Sequence, residues 1–167
     1  SLREDLGMEV RGESILLLGA GGAGRVAALK IAATGVKELF LVNRTASKAE
    51  AIATEIRDRF PAVQVNLGYP PAEVDLVLNA TSLGLKPGDP LPFDPAALSL
   101  GKSRAVYDMV YRPAETPLLA AATEAGCKTA NGLGMLLHQG AKALEIWTGQ
   151  TAPLEVMRQA LKETIYG

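Results

Sequence analysis

The chain has 167 residues, 48% of them hydrophobic, with 17 Lys and Arg against 18 Asp and Glu. That length suits one domain with its own core, and the balanced charge, free of any basic block, argues against nucleic acid or an anionic membrane as partner. A single cysteine, Cys127, and a single histidine, His138, exclude an internal disulfide and a Cys/His zinc set.

The lone thiol, and the lack of a secretory segment or of an apolar run near the ~18 residues of a membrane span, fit a reducing cytoplasm. Starting at Ser1 instead of Met, the chain reads as a piece of something longer. Leu2 to Met8 predict a short helix ending near Gly7, then polar residues to Gly12, together a connection from another domain. Strands are predicted at Ile15–Leu18, Glu38–Val42, Val63–Asn66, Asp75–Asn79, Ala105–Asp108 and Cys127–Ala130. These runs are short and mostly apolar, as expected of strands covered on both faces. Ala23–Thr34 carries five alanines and stops at Gly35, and Ala46–Phe60 is ended by Pro61, so both read as helices. Leu83–Pro95 is too rich in proline for helix or central strand and predicts a long surface loop. Gly132 and Gly134 lead into a helix to about Trp147, and Pro153 opens a last one through about Ile165. The expected fold is α/β: a doubly wound, six-stranded, mainly parallel sheet of the Rossmann type, with the C-terminal helices packing back on it.

Gly19, Ala20, Gly21, Gly22, Ala23 and Gly24 satisfy G-x-G-x-x-G between a strand and a helix. There, backbone N–H groups and the positive helix end suit a pyrophosphate; the alternative is a tight turn that binds nothing. At the end of the second strand, where an NAD-preferring fold carries Asp or Glu for the ribose hydroxyls, stand Asn43 and Arg44. Thr45 suits an N-cap, but Lys48 occupies the place of a capping-box acid, and a cation in a first turn opposes the helix dipole unless an anion sits there. Arg44 and Lys48 therefore point to a 2′-phosphate and to NADP(H) over NAD(H), the alternative being ordinary solvated charges.

Three further motifs are Asn79-Ala-Thr-Ser-Leu-Gly84, Tyr107-Asp-Met-Val-Tyr-Arg-Pro113 and Asn131-Gly-Leu-Gly-Met-Leu-Leu-His-Gln-Gly140. With the glycine turn and Asn43-Arg44-Thr45 they resemble the cofactor domain of shikimate dehydrogenase, from about Gly12 to the C-terminus. The resemblance implies that residues 13–167 are an NADP-binding domain and 1–12 the residual connection to an N-terminal substrate domain absent from this chain. It implies that Gly19 to Ala23 hold the pyrophosphate and that Asn43, Arg44, Thr45 and Lys48 hold the adenosine ribose and its phosphate. Asn79, Thr81 and Ser82 would line the groove, and Met109 and Gly132 would meet the nicotinamide. Core packing is the plain alternative for Met109, and an ordinary Thr/Ser turn for residues 79–82.

Tyr111 and Gln139 resemble the family's contacts to shikimate or 3-dehydroshikimate; each can donate and accept hydrogen bonds with a polyhydroxy acid. Either side chain reads otherwise as structural, Tyr111 as a buried ring and Gln139 as solvent-facing. His138 receives no role. No residue of this chain matches the family's Lys and Asp pair, so none is assigned as catalytic. Quinate or dual quinate/shikimate dehydrogenase is the enzymatic alternative, and a non-catalytic NADP-binding module the other. The isolated chain is expected to bind NADP(H) without turnover. A shikimate-dependent rise in NADPH absorbance would refute that expectation.

Overall fold

Alternate side chains of each central apolar run are covered on opposite faces of one sheet. The computed structural model describes residues 1–167. Six parallel strands, β1 (Ser14–Leu18), β2 (Glu38–Val42), β3 (Gln64–Leu67), β4 (Leu76–Asn79), β5 (Ala105–Asp108) and β6 (Lys128–Asn131), lie in the order β3-β2-β1-β4-β5-β6. Ile15 and Leu17 face one hydrophobic cluster with Leu39, Leu41, Leu76 and Leu78. Leu16 and Leu18 face a second with Phe40, Val77 and Val106. Two buried faces explain why these strands show no polar alternation.

Helices α2 (Gly22–Ala33) and α3 (Ala46–Arg59) cover the first face. Helix α3 buries Ala49, Ile52, Ala53 and Ile56, one stripe at helical spacing. Helix α2 ends where expected, with Gly35 at φ 80°, a left-handed position that disfavours other residues. The second face is covered differently. Helix α4 (Pro117–Glu124) contributes Leu118, Leu119 and Ala122, while Phe93, Leu98 and Leu100 come from the long connection between β4 and β5. The long β4–β5 connection thus supplies apolar cover where a crossover helix would otherwise stand.

The chain runs outward from β1 to β3 and returns to β4, so the strand order reverses between β1 and β4. Leu18 is level with both Val42 and Asn79. The loops leaving β1, β2 and β4 therefore meet at one edge, beside the crevice where such sheets take ligands.

Helix α1 (Leu2–Leu6) and the residues after it belong to this body, since Leu6, Met8 and Val10 are buried in the first cluster. Helix α5 (Leu133–Thr148) follows β6, and Met135 packs against the same cluster. Helix α6 (Leu154–Tyr166) has no buried residue and rests on α5, with Met157 close to Gly140. The return of the C-terminal helices to the sheet is thus made through α5, with α6 as an outer layer. No helix is long and apolar enough to cross a membrane.

Glu4 ties the three peripheral helices together: its Oε2 lies 3.0 Å from Arg158 on α6 and 3.2 Å from His138 on α5. The hydrogen bond from Arg158, aided by His138, holds the Glu4 carboxyl below its usual range. A carboxyl lowered on folding stabilises the fold above its unfolded pKa, roughly 4.3, and loses that contribution as pH falls through the folded value. Wild type is therefore expected to exceed Glu4→Gln in thermal stability at neutral pH, and the gap to narrow as pH falls below the ordinary carboxylate range, roughly 4.3. Parallel thermal melts across that range measure it.

Candidate functional site

An open cleft of about 1300 Å³ runs along the carboxyl edge of the sheet, lined by Gly21, Gly22, Ala23, Thr81, Ser82, Met109 and Tyr111 among others. A smaller recess of about 350 Å³ adjoins it, sharing Gly21, Thr81 and Ser82 and adding Gly19, Asn43 and Arg44. Together they form one groove from the end of β2, across the start of α2, to the loop after β5.

The glycines divide into two kinds. A Cβ on Gly24 would lie 2.1 Å from the Gly19 carbonyl oxygen, and one on Gly19, whose φ is 103°, would lie 2.9 Å from the Ala80 backbone. Those two let α2 start directly against β1 and β4. A Cβ on Gly21 or Gly22 would meet nothing within 4 Å. Packing does not demand glycine there; what its absence of a side chain achieves is to leave the first amides of α2 accessible from the cleft. Arg25, in the same turn, is committed to Glu55 on α3 through bonds of 2.9 and 2.7 Å.

Asn43 braces this turn. Its Oδ1 accepts from the Ala20 N–H at 2.9 Å and its Nδ2 donates to the Thr45 carbonyl at 2.8 Å. Thr45 occupies the N-cap position of α3, but its side chain makes no capping bond, so the expected hydroxyl cap is absent. Arg44, Thr45 and Lys48 are exposed, and neither cation forms an ion pair.

Asn79 corrects the expectation that it lines the groove. It is fully buried; its amide donates to Asp108 Oδ1 at 2.9 Å, and its Oδ1 accepts from the Thr81 N–H and hydroxyl at 3.0 and 2.8 Å. It shapes the turn that presents Thr81 and Ser82. Its partner Asp108 went unassigned in the sequence, yet this buried carboxylate also accepts from the Thr116 hydroxyl at 2.6 Å and the Val110 N–H at 3.0 Å. Burial pushes the Asp108 carboxyl up, against the pull of those three donors. An acid closing an otherwise apolar strand was the available signal.

Gly132 does not open into either recess. It is buried, and a Cβ there would lie 2.1 Å from the Met109 carbonyl oxygen. It seats the start of α5 against the Met109 backbone, and Met109 itself lines the cleft. Tyr111 lines the cleft too, on a loop held by Tyr166, whose hydroxyl donates to the Tyr111 carbonyl at 2.7 Å and accepts from Asn131 Nδ2 at 2.9 Å. Gln139 is not brought beside Tyr111. It is exposed on α5, one turn beyond the cleft-lining Met135. Met135, Leu85, Lys86, Arg112 and Tyr166 line the cleft and were not singled out by sequence.

A parallel sheet in this order, with a glycine turn and a helix start at its switch point, defines a Rossmann-type domain. The chain belongs to the shikimate/quinate dehydrogenase family. The model described as shikimate/quinate 5-dehydrogenase matches residues 2–84, and the shikimate 5′-dehydrogenase C-terminal domain matches residues 132–162. A relative named shikimate dehydrogenase (NADP(+)), from Methanopyrus kandleri, is 38% identical over 170 residues, which cover 98% of this chain and 59% of that protein. The chain thus spans little more than half the length of such relatives. A shikimate dehydrogenase structure in complex with NADP+ superposes with a TM-score of 0.84 at 35% identity, covering 99% of this chain and 59% of that one. Shikimate 5-dehydrogenase from Listeria monocytogenes, in complex with shikimate and NAD, gives 0.84 at 34% identity, covering 95% and 59%.

The two kinds of glycine respond oppositely to alanine. Gly132→Ala is expected to lower unfolding free energy by about 2 kcal/mol or more through overpacking. Gly22→Ala, free of contacts in a helical first turn, is expected to hold or raise it by roughly 0.5 kcal/mol. Denaturant midpoints compare them.

Proposed function

We propose that this chain is the NADP(H)-binding domain, residues 13–167, of a shikimate dehydrogenase, the enzyme that interconverts 3-dehydroshikimate and shikimate. Residues 1–12 form the connection to a substrate-binding domain. The observation that carries the nucleotide choice is the end of β2. No carboxylate stands there, Asn43 is spent on bracing the glycine turn, and the group left facing the recess is the unpaired guanidinium of Arg44. A guanidinium donates paired, charge-assisted bonds to a phosphate and only a weaker bond to a neutral ribose hydroxyl. The solved relatives include both NADP+ and NAD complexes, so this chain's own residues decide.

The groove fits a dinucleotide. Gly21, Gly22 and Ala23 offer amides and a positive helix end to its pyrophosphate, with Gly19 and Ala20 completing the turn. Arg44 and Lys48, with the first two amides after Thr45, would hold a 2′-phosphate. Thr81 and Ser82 wall the middle of the groove, while Met109, seated by Gly132, borders the nicotinamide end. Asn79 serves from behind. When bound, the nicotinamide supplies hydride exchange for an alcohol–ketone interconversion. Tyr111 would contact the substrate's hydroxyls or carboxylate, and Gln139 would join it across the opening toward the substrate domain. The proton acceptor for the alcohol belongs to that other domain, and catalysis with it. The setting is a reducing cytoplasm, consistent with Cys127, whose half-buried thiol is pushed up by burial and donates to the carbonyls of Leu100 and Ser103.

Parallel titrations of the chain with NADP and NAD test this. Wild type is expected to prefer NADP, and Arg44→Ala to weaken NADP about tenfold or more while leaving NAD within about twofold. Unchanged NADP affinity in Arg44→Ala would overturn the assignment.

A further inference from the structure

Beyond the glycine turn and Met109, the cleft has a wall that the family motifs do not account for. After β4 the chain makes a tight turn, Gly84 to Asp89, inside the proline-rich loop. Asp89 Oδ2 accepts from the N–H groups of both Gly84 and Lys86 at 3.0 Å, and the Asp89 N–H donates to the Lys86 carbonyl at 3.1 Å. At its base, Gly84 has φ 106°, and a Cβ there would sit 3.2 Å from the Thr116 side chain and 3.9 Å from Asp108 Oδ2. The turn is thus closed by one carboxylate and seated on the buried Asp108–Thr116 pair.

What it presents is Leu85, 52% exposed, and Lys86, both lining the cleft together with Gly22 and Ala23 of α2. Lys86 has no acidic partner, and Glu115 is the only acid among the cleft-lining residues, against Lys86 and Arg112. An exposed leucine thus stands beside an unpaired lysine on the cleft wall, on a turn fixed by side-chain bonds. This pairing suits a ligand with one flat apolar part next to an anionic one.

We propose that the Gly84–Asp89 turn is a preformed second wall of the dinucleotide cleft, with Leu85 packing on the nicotinamide half and Lys86 drawing the pyrophosphate from the side opposite α2. Asp89 is a positioning residue, because it holds both side chains in place without facing the cleft. This rests on the NADP reading above.

The test titrates wild type, Leu85→Ala, Lys86→Ala, Asp89→Ala and Asp89→Asn with NADP and with adenosine 2′,5′-bisphosphate, which keeps the 2′-phosphate end and lacks the nicotinamide. Leu85→Ala should weaken NADP roughly fivefold and leave the bisphosphate within about twofold. Lys86→Ala should weaken NADP by a similar factor at about 50 mM salt, and by less at about 500 mM, where screening is strong. Asp89→Ala should reproduce the Leu85→Ala pattern, and Asp89→Asn, which keeps one acceptor oxygen, should recover part of the loss. NADP affinity within about twofold of wild type in both Leu85→Ala and Lys86→Ala overturns the second wall and leaves the NADP reading standing. Equal losses for both probes in Leu85→Ala also overturn it, since they report a disturbed fold. A wild type that binds neither probe overturns both readings.

Discussion

At the carboxyl edge of this sheet, main chain touches main chain at distances that leave no room for a side-chain carbon. Gly24 against the Gly19 carbonyl sets the direction in which α2 leaves β1, and Gly132 against the Met109 carbonyl does the same for α5 beside β5. These contacts determine where two helix starts point and how close the loops lie. A methyl group at either place would have to push a helix away from the sheet, and the groove would widen with it. The fold is held by its apolar clusters, but the groove is shaped by missing methyl groups.

A second constraint operates one layer down. Asn79 and Asp108 end neighbouring strands level with one another, and their side chains meet in a fully buried hydrogen bond. Thr116, the cap of α4, closes the same group with a 2.6 Å bond to Asp108. Three segments that wall the cleft, the Thr81–Ser82 turn, the Val110–Tyr111 stretch and the start of α4, share this anchor. A buried carboxylate is costly unless its acceptors are filled, so each of those segments is held by the need to satisfy it. Tyr166 steadies the outer part of the same loop from α6, which gives that otherwise loosely seated helix a bearing on the cleft.

Much of the fold was legible in the sequence because its signals are local. The apolar runs marked all six strands to within about a residue or two at each end. Gly35 and Pro61 marked the ends of α2 and α3 for reasons of backbone conformation alone. Helix α4 is short and carries no strong apolar period, although Thr116 followed by Pro117 is a readable start. The candidate site was legible in part. Gly21, Gly22, Ala23, Thr81, Ser82, Met109 and Tyr111 do line one cleft, and Asn43 with Arg44 the recess beside it. Asn79 was misplaced because a polar residue after a strand looks the same whether it faces solvent or a buried acid. The Asp89 turn was hidden for a related reason: proline content announces a loop and says nothing of which carboxylate folds it. Gln139 stands apart from Tyr111 because motif order along a chain does not specify how far along a helix a cleft reaches, and Gln139 lies one turn beyond Met135.

The unfilled cap of α3 links shape to occupancy. Thr45 stands where a hydroxyl normally caps the first turn, but its side chain makes no such bond; the Lys48 N–H turns to the Thr45 carbonyl at 3.2 Å, and the Lys48 charge is of the wrong sign for that helix end. A phosphate held by Arg44 there would do the work of the missing cap. Ligand and secondary structure then share one set of hydrogen bonds. On the proposed reading, the phosphate that distinguishes one dinucleotide from the other would stand in for the side-chain cap that α3 lacks.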